Sequence, residues 1–242
     1  MTDEQIKALV IRRYSRVQSP WGLWQLNYMS TGNAFRGDAC LLGTVLIKRL
    51  FDAAASGILL VLISPFLLLL ACLVKLADGG PVLFTQTRIG KCGRFFRMYK
   101  FRSMCPKAEE RLREILPRNQ HIDGVTFKMR DDPRITRVGR WMRRYSLDEL
   151  PQLFNVLRGD MSLVGPRPPL PREVDLYSVQ DRRRLAATPG LTCFWQIGGR
   201  SEIDFREQVH LDVLYIESQS LWLDLKILCK TVPAVLSGRG AC

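Results

Sequence analysis

Residues 53–74, AAASGILLVLISPFLLLLACLV, carry no charged side chain and are interrupted near the middle by Ser64-Pro65. As one helix these 22 residues would reach roughly 33 Å, enough for a hydrocarbon core of about 30 Å. Pro65 removes one backbone donor and crowds the carbonyl of Val61, at a cost of about 3 kcal/mol inside a helix, while the Ser64 hydroxyl can bond a freed backbone group. A sharp bend is therefore expected at Ser64-Pro65. The run begins beyond position 50, so it is not read as a cleavable secretory leader.

Arg12, Arg13, Arg16, Arg36, Lys48 and Arg49 precede the run, and Lys75, Arg88, Lys91 and Arg94 follow it. The positive-inside bias places both ends on the cytoplasmic side. A helix that enters, turns at Ser64-Pro65 and leaves by the same face satisfies that bias. A kinked single-pass anchor is the other reading, because spanning helices tolerate proline, and the residues alone leave both open.

The remainder gives room for one domain of moderate size. A net charge of +13 implies an anionic neighbour: lipid headgroups, a phosphate-bearing substrate or nucleic acid. Seven cysteines without a CxxC pair suggest reduced thiols rather than a disulfide framework or a zinc site. His121 and His210 are far apart in sequence and outside any HExxH spacing, so chemistry falls to carboxylates and cations. No helix-turn-helix, RNP or zinc-finger pattern supports a nucleic-acid partner.

Residues 1–47 read as an interfacial or flexible extension, with an amphipathic helix over 3–17 and the interface aromatics Trp21, Trp24 and Tyr28. Beyond the apolar run, 82–89 and 95–104 read as a β-hairpin joined by GKCG. Alternation puts Phe84, Gln86 and Arg88 on one face, and Phe96, Met98, Lys100 and Arg102 on one face of the partner, so Arg88 and Lys100 can be presented together. A charged helix is expected over 106–116, and a basic amphipathic one over 134–145. The second sets Arg134, Arg137, Arg140, Arg143 and Arg144 against Val138, Trp141 and Met142, for an anionic surface or a phosphate-rich ligand. Residues 205–216 and 221–236 are amphipathic, suited to the bilayer surface or to a protein core.

The segment SLDELPQL, residues 146–153, puts Asp148 and Glu149 directly after the arginine-rich stretch. In one reading Ser146 and Glu149 form a capping box, although Pro151 would then fall beyond the first turn at the cost of a backbone bond. In the other, the carboxylates meet a Mg²⁺-bound pyrophosphate, and one of them can attack phosphorus. Downstream, Pro166-Arg167-Pro168 fixes one guanidinium between two prolines, a geometry suited to phosphate. WQIGGR, residues 195–200, offers a further polar loop.

From Lys48 to about Leu236 the chain resembles the bacterial sugar transferase family, the monotopic polyprenyl-phosphate phosphoglycosyl transferases. The resemblance rests on KRLFD, the Ser64-Pro65 break, GGPVLFTQTRIG, MYKFRSM, DDPRITRVGRWMRR, SLDELPQLFNVLRGDMSLVGPRP, TPGLTCFWQIGGRS and SLWLDLKILCKTV, in order. Cys193 stands where that family usually has glycine, and Gly79-Gly80 replaces the commoner Pro-Gly.

This resemblance implies an α/β, mostly helical fold with a re-entrant helix-break-helix over 48–76 and a cytosolic catalytic domain over 77–242, carrying a small β-hairpin and interfacial amphipathic helices. It implies Asp148 as nucleophile, Glu149 as ligand of a Mg²⁺ cofactor, Arg167 near the phosphate, and Lys100, Arg88 and Asp224 as further members of the site. The implied substrates are a UDP-sugar and polyprenyl phosphate, at the cytoplasmic face of a bacterial inner membrane among membrane lipids; sugar and oligomeric state, a homo-oligomer included, stay open. A noncatalytic, membrane-tethered basic protein that binds nucleic acid or anionic lipid is the competing expectation.

Overall fold

The computed structural model describes residues 43–106, 108–115, 125, 129, 131–198 and 203–238. The expectations for the helix over 3–17, for Trp21, Trp24 and Tyr28, for His121 and for Gly199-Arg200 lie outside these residues. Contacts divide the chain into Met1–Lys48 and Arg49–Cys242; of the first, only the helical residues 43–48 are described.

The apolar run folds as two helices, α1 (Gly43–Leu62) and α2 (Ser64–Asp78), bent by 65° at Ile63. The break has the chemistry expected of Ser64-Pro65: Pro65 occupies the first turn of α2, and the Ser64 hydroxyl donates to Val61 O at 2.8 Å, satisfying the carbonyl that proline cannot reach. No single helix among the described residues is long and apolar enough to cross a membrane; the bent pair passes that test only together.

Each arm buries one narrow stripe. Leu60 packs among Leu153, Val156 and Met98, and Leu70 and Val74 pack against Phe101 and Met142. The rest stays uncovered, with Val61, Leu62 and Leu68 at 74%, 69% and 68% exposure. Two polar residues fix the first arm. Arg49 donates from both guanidinium ends to Val156 O and Leu157 O, each at 2.6 Å. Asp52, buried, accepts from Ser162 Oγ at 2.7 Å and Leu163 N at 3.2 Å.

Two small sheets follow. Strands β1 (Leu83–Ile89) and β2 (Phe95–Phe101) are antiparallel, in a register that sets Phe84 opposite Lys100, Gln86 opposite Met98 and Arg88 opposite Phe96, as alternation predicts. The linking turn uses a left-handed Cys92, φ 55°. Strands β3 (Ser162–Val164) and β4 (Gly190–Thr192) form a parallel pair that the sequence pattern did not predict. There a Cβ on Gly190 would sit 2.0 Å from Gly165 N, so only glycine permits the crossing.

The other helices are α3 (Ala108–Ile115), α4 (Arg137–Arg144), α5 (Gln152–Arg158), α6 (Pro171–Asp175), α7 (Phe194–Gly198), α8 (Phe205–Ser218) and α9 (Leu221–Ser237). The fold is mostly helical. The basic helix starts later than residue 134, because Thr136 caps it, accepting from Gly139 N at 2.9 Å. Arg134 therefore leaves the expected basic face: it is buried and pairs with Asp132 at 2.6 Å. For α9 the core reading holds on one face. Ile227 lies in the main core, while Leu221, Trp222 and Leu225 are exposed.

Candidate active site

The capping box at Ser146 is not formed. Ser146 adopts a left-handed conformation, φ 53°, and makes no side-chain cap bond. The chain leaves α4 through this residue into a single 3-10 turn, Leu147–Glu149, and only then enters α5, with Pro151 at its N-cap. This resolves the difficulty with Pro151: at the start of α5 its missing N–H costs nothing. The two carboxylates thus sit on a short, separate turn. Asp148 is 5% exposed.

Asn155, fully buried on α5, ties that turn to the hairpin. Its Nδ2 donates to Arg97 O at 2.7 Å and its Oδ1 accepts from Tyr99 N at 3.0 Å. One carboxamide thereby docks α5 on the edge of β2, and the next residue of the strand, Lys100, meets Glu149 at 2.7 Å. Burial pushes the Glu149 carboxyl up, but the charge and hydrogen bond of Lys100, with Arg167 and Arg88, outweigh it and hold Glu149 below its ordinary range. Asp148 goes the other way: burial and the neighbouring Glu149 charge raise it, against the pull of Lys100 and Arg143.

Cations complete the wall. Arg88 is buried, donating to Pro168 O at 3.0 Å and Gln86 Oε1 at 2.7 Å. Burial and the charge of Arg167 pull it down to about 10, so it stays charged at neutral pH. The Pro166-Arg167-Pro168 loop is held by Gly190 N donating to Pro166 O at 2.8 Å and by Ile89 N donating to Pro169 O at 3.0 Å. At the end of α4, Arg143 donates from Nε to Ser103 Oγ at 2.9 Å. All these side chains, with both carboxylates, line one cleft of about 1890 Å³. An ionised carboxylate, a desolvated one and preset guanidinium groups around such a cleft suit a doubly charged phosphate ester.

The family model for bacterial sugar transferases matches residues 43–238. The chain belongs to the bacterial sugar transferase family. Among its relatives, this sugar transferase is 47% identical over 198 residues to a galactosyl transferase, CpsE, of Streptococcus agalactiae, covering 81% of the chain and 44% of that relative. It is 45% identical over 199 residues to an undecaprenyl-phosphate galactose phosphotransferase of Salmonella typhimurium, covering 81% and 41%. It is also 45% identical over 197 residues to an exopolysaccharide production protein, ExoY, of Rhizobium meliloti, covering 80% and 87%. The chain thus spans less than half the length of the first two.

In this sugar transferase the fold brings together five of the six side chains expected at the site: Asp148, Glu149, Lys100, Arg88 and Arg167. Asp224 is not among them. It lies in the interior at 1% exposure, accepting from Tyr215 Oη at 2.7 Å, and so serves the packing of α8 on α9. Arg143, expected only as part of a basic face, turns into the cleft; its place five residues before Asp148 is the signal that could have marked it. Asn155 and Ser103 carried no such signal, because each works through partners distant in sequence: Asn155 through the backbone of β2, and Ser103 through the Arg143 side chain.

Proposed function

We propose that this sugar transferase moves a sugar 1-phosphate from a UDP-sugar to polyprenyl phosphate, with Asp148 as a covalent nucleophile. The carrying observation is the pair of unlike carboxylates, one buried and one held ionised by Lys100, in a cleft walled by Arg88, Arg143 and Arg167. A carboxylate needs no base to activate it, and among the described residues the one histidine, His210, is exposed and outside the cleft. An oxygen of Asp148 attacks the β-phosphorus of the UDP-sugar; the bond from that phosphorus to the bridging oxygen breaks, and UMP leaves with the electron pair. A phosphate oxygen of the lipid then attacks the same phosphorus, and the bond to Asp148 breaks, restoring the carboxylate. Lys100 keeps Glu149 ionised and fixed, and Arg167 and Arg88 stabilise charge on the transferring phosphate.

The donor set fits Mg²⁺. Glu149, ionised beside Asp148, offers hard oxygens of the kind Mg²⁺ takes one or two at a time, filling its remaining positions with water and substrate phosphate. When bound it supplies Lewis-acid neutralisation of the pyrophosphate.

A membrane-embedded carrier fits the helical pair. Its uncovered apolar surface and the basic residues at both ends support a re-entrant hairpin on the cytoplasmic face of the bacterial inner membrane. Such an anchor sets the cleft at the depth where a soluble nucleotide sugar and a lipid phosphate both arrive. Two relatives are named for galactose, which makes UDP-galactose the first donor to try in a panel of UDP-sugars. Mg²⁺-dependent UMP release with polyprenyl phosphate is expected for one of them. No release with any donor, alongside salt-sensitive binding to anionic vesicles or nucleic acid, would instead establish the noncatalytic tether.

A further inference from the structure

Ser103, just beyond the end of β2, is 6% exposed, and α4 takes both its carbonyl and its hydroxyl. The carbonyl accepts from Thr136 N at 3.1 Å, where the helix begins. The hydroxyl accepts from Arg143 Nε at 2.9 Å, near where it finishes. One residue can hold both because α4 passes close to it at Gly139: a Cβ there would sit 1.9 Å from Ser103 O, so the approach is open to glycine alone. Arg143 stands one turn beyond Gly139 on the same face of the helix. Helical side chains lean towards the N-terminus, so its guanidinium reaches back to the hydroxyl. The helix itself is fixed independently, by Met142 in the core with Leu70, Val74 and Phe101.

The bond to Ser103 uses only the Nε edge. The two terminal nitrogens of Arg143 make no hydrogen bond or ion pair with the described residues, and the half-buried side chain lines the cleft. A guanidinium held by Nε presents its remaining nitrogens as a planar fork, which matches two oxygens of one phosphate. The cations also divide between the carboxylates. Arg143 acts on Asp148, whereas Arg167 and Arg88 act on Glu149. Lys100, which pairs with Glu149, and Ser103, which holds Arg143, lie on one short segment of chain, so the outgoing end of the hairpin sets a cation for each carboxylate.

Resting on the phosphoryl-transfer reading above, we infer that Ser103 is a positioning residue for Arg143: its hydroxyl, opposite the bare Gly139, holds the guanidinium by the Nε edge and turns the terminal fork toward the β-phosphate of the UDP-sugar beside Asp148. That phosphate is the group transferred, and the fork stabilises the charge that builds on its oxygens. Ser103 touches no reacting atom. Alanine at this position keeps the backbone bond to Thr136, so α4 stays in place and only the guanidinium is released.

The test is a double-mutant cycle on the full chain in detergent with Mg²⁺, using Ser103→Ala and Arg143→Ala. Affinities for UDP and UMP are measured by calorimetry, and kcat/KM with the accepted UDP-sugar from UMP release. UMP lacks the β-phosphate, so it separates positioning of the fork from a general loosening of the site. With Arg143 present, Ser103→Ala should weaken UDP binding and lower kcat/KM about tenfold each while leaving UMP affinity within about twofold. With Arg143 already alanine, it should change none of the three. Equal weakening of UDP and UMP, equal losses in both backgrounds, or no loss at all would overturn the positioning role and leave Ser103 as packing for α4. Coupling in UDP affinity in a chain that releases UMP from no UDP-sugar would keep the positioning role and remove the transfer reaction, so the two readings fail separately.

Discussion

Asn155 sets the distance between Glu149 and Lys100, because its carboxamide pairs with β2 on either side of Met98. Replacing it with alanine leaves the part-buried Tyr99 N–H and Arg97 carbonyl contacts unmade, at a cost of about 1 kcal/mol each, and lets the carboxylate turn drift from the hairpin. A lower melting temperature should accompany a larger loss in kcat than in KM for the UDP-sugar; unchanged kcat would show that α5 needs no such clamp. Asp132 makes a different kind of contribution. Burial raises its carboxyl, but the side-chain and backbone hydrogen bonds of Arg134, with the charges of Arg134 and Arg143, hold it below its ordinary value. A carboxyl depressed in the folded state stabilises above its unfolded pKa and loses that contribution as pH falls through the folded one. Asp132→Asn, which removes the carboxylate charge from beside the buried Arg134, should therefore cost about 1–3 kcal/mol at neutral pH. The difference in melting temperature should persist down to about pH 5 and close below about pH 4; a gap independent of pH would contradict the ion pair.

Among the elements, the broken helix is the one on which placement of the site depends. Arg49 and Asp52 fasten its first arm to α5 and β3, and both arms carry apolar side chains that the described residues leave exposed. Single cysteines placed before Lys48 and after Lys75, in a background without accessible native thiols, should both be labelled from the cytoplasmic side only. Periplasmic labelling of the first would establish a span. This element was legible in the sequence because Ser64-Pro65 is a local defect in a long apolar run. The hairpin was legible because period-two alternation fixes faces. Other features were not. A left-handed Ser146 looks like an ordinary cap, and three-residue strands such as β3 and β4 carry too little pattern to be seen. Periodicity counted Arg134 with the basic face because it cannot know that Asp132, two residues earlier, will bury it.

Across the whole molecule, charge and apolar surface divide the labour. Arg137 and Arg140 remain exposed on α4 beside an exposed Trp141, while Arg143 of the same helix faces the cleft. Neutralising Arg137 and Arg140 together should weaken binding to anionic vesicles in a salt-sensitive way while leaving turnover in detergent within about twofold. Loss of turnover in detergent would place them at the substrate instead. In the candidate cleft Asp148, Glu149 and Arg167 were legible as residue types, since they stand in short motifs. Asp224 was not, because only the packing of α8 on α9 shows its carboxylate taken by Tyr215. The claim on which the rest depends is that Asp148 carries the sugar phosphate between two substrates that need not be bound together. Incubation with the accepted UDP-sugar and Mg²⁺, without polyprenyl phosphate, tests it most directly. UMP should appear in a burst no larger than the enzyme concentration, and the peptide containing Asp148 should gain the mass of one hexose phosphate, lost again on adding the lipid and absent in Asp148→Asn. A fully active Asp148→Asn enzyme, or UMP release that requires both substrates together with no adduct trapped, would contradict it.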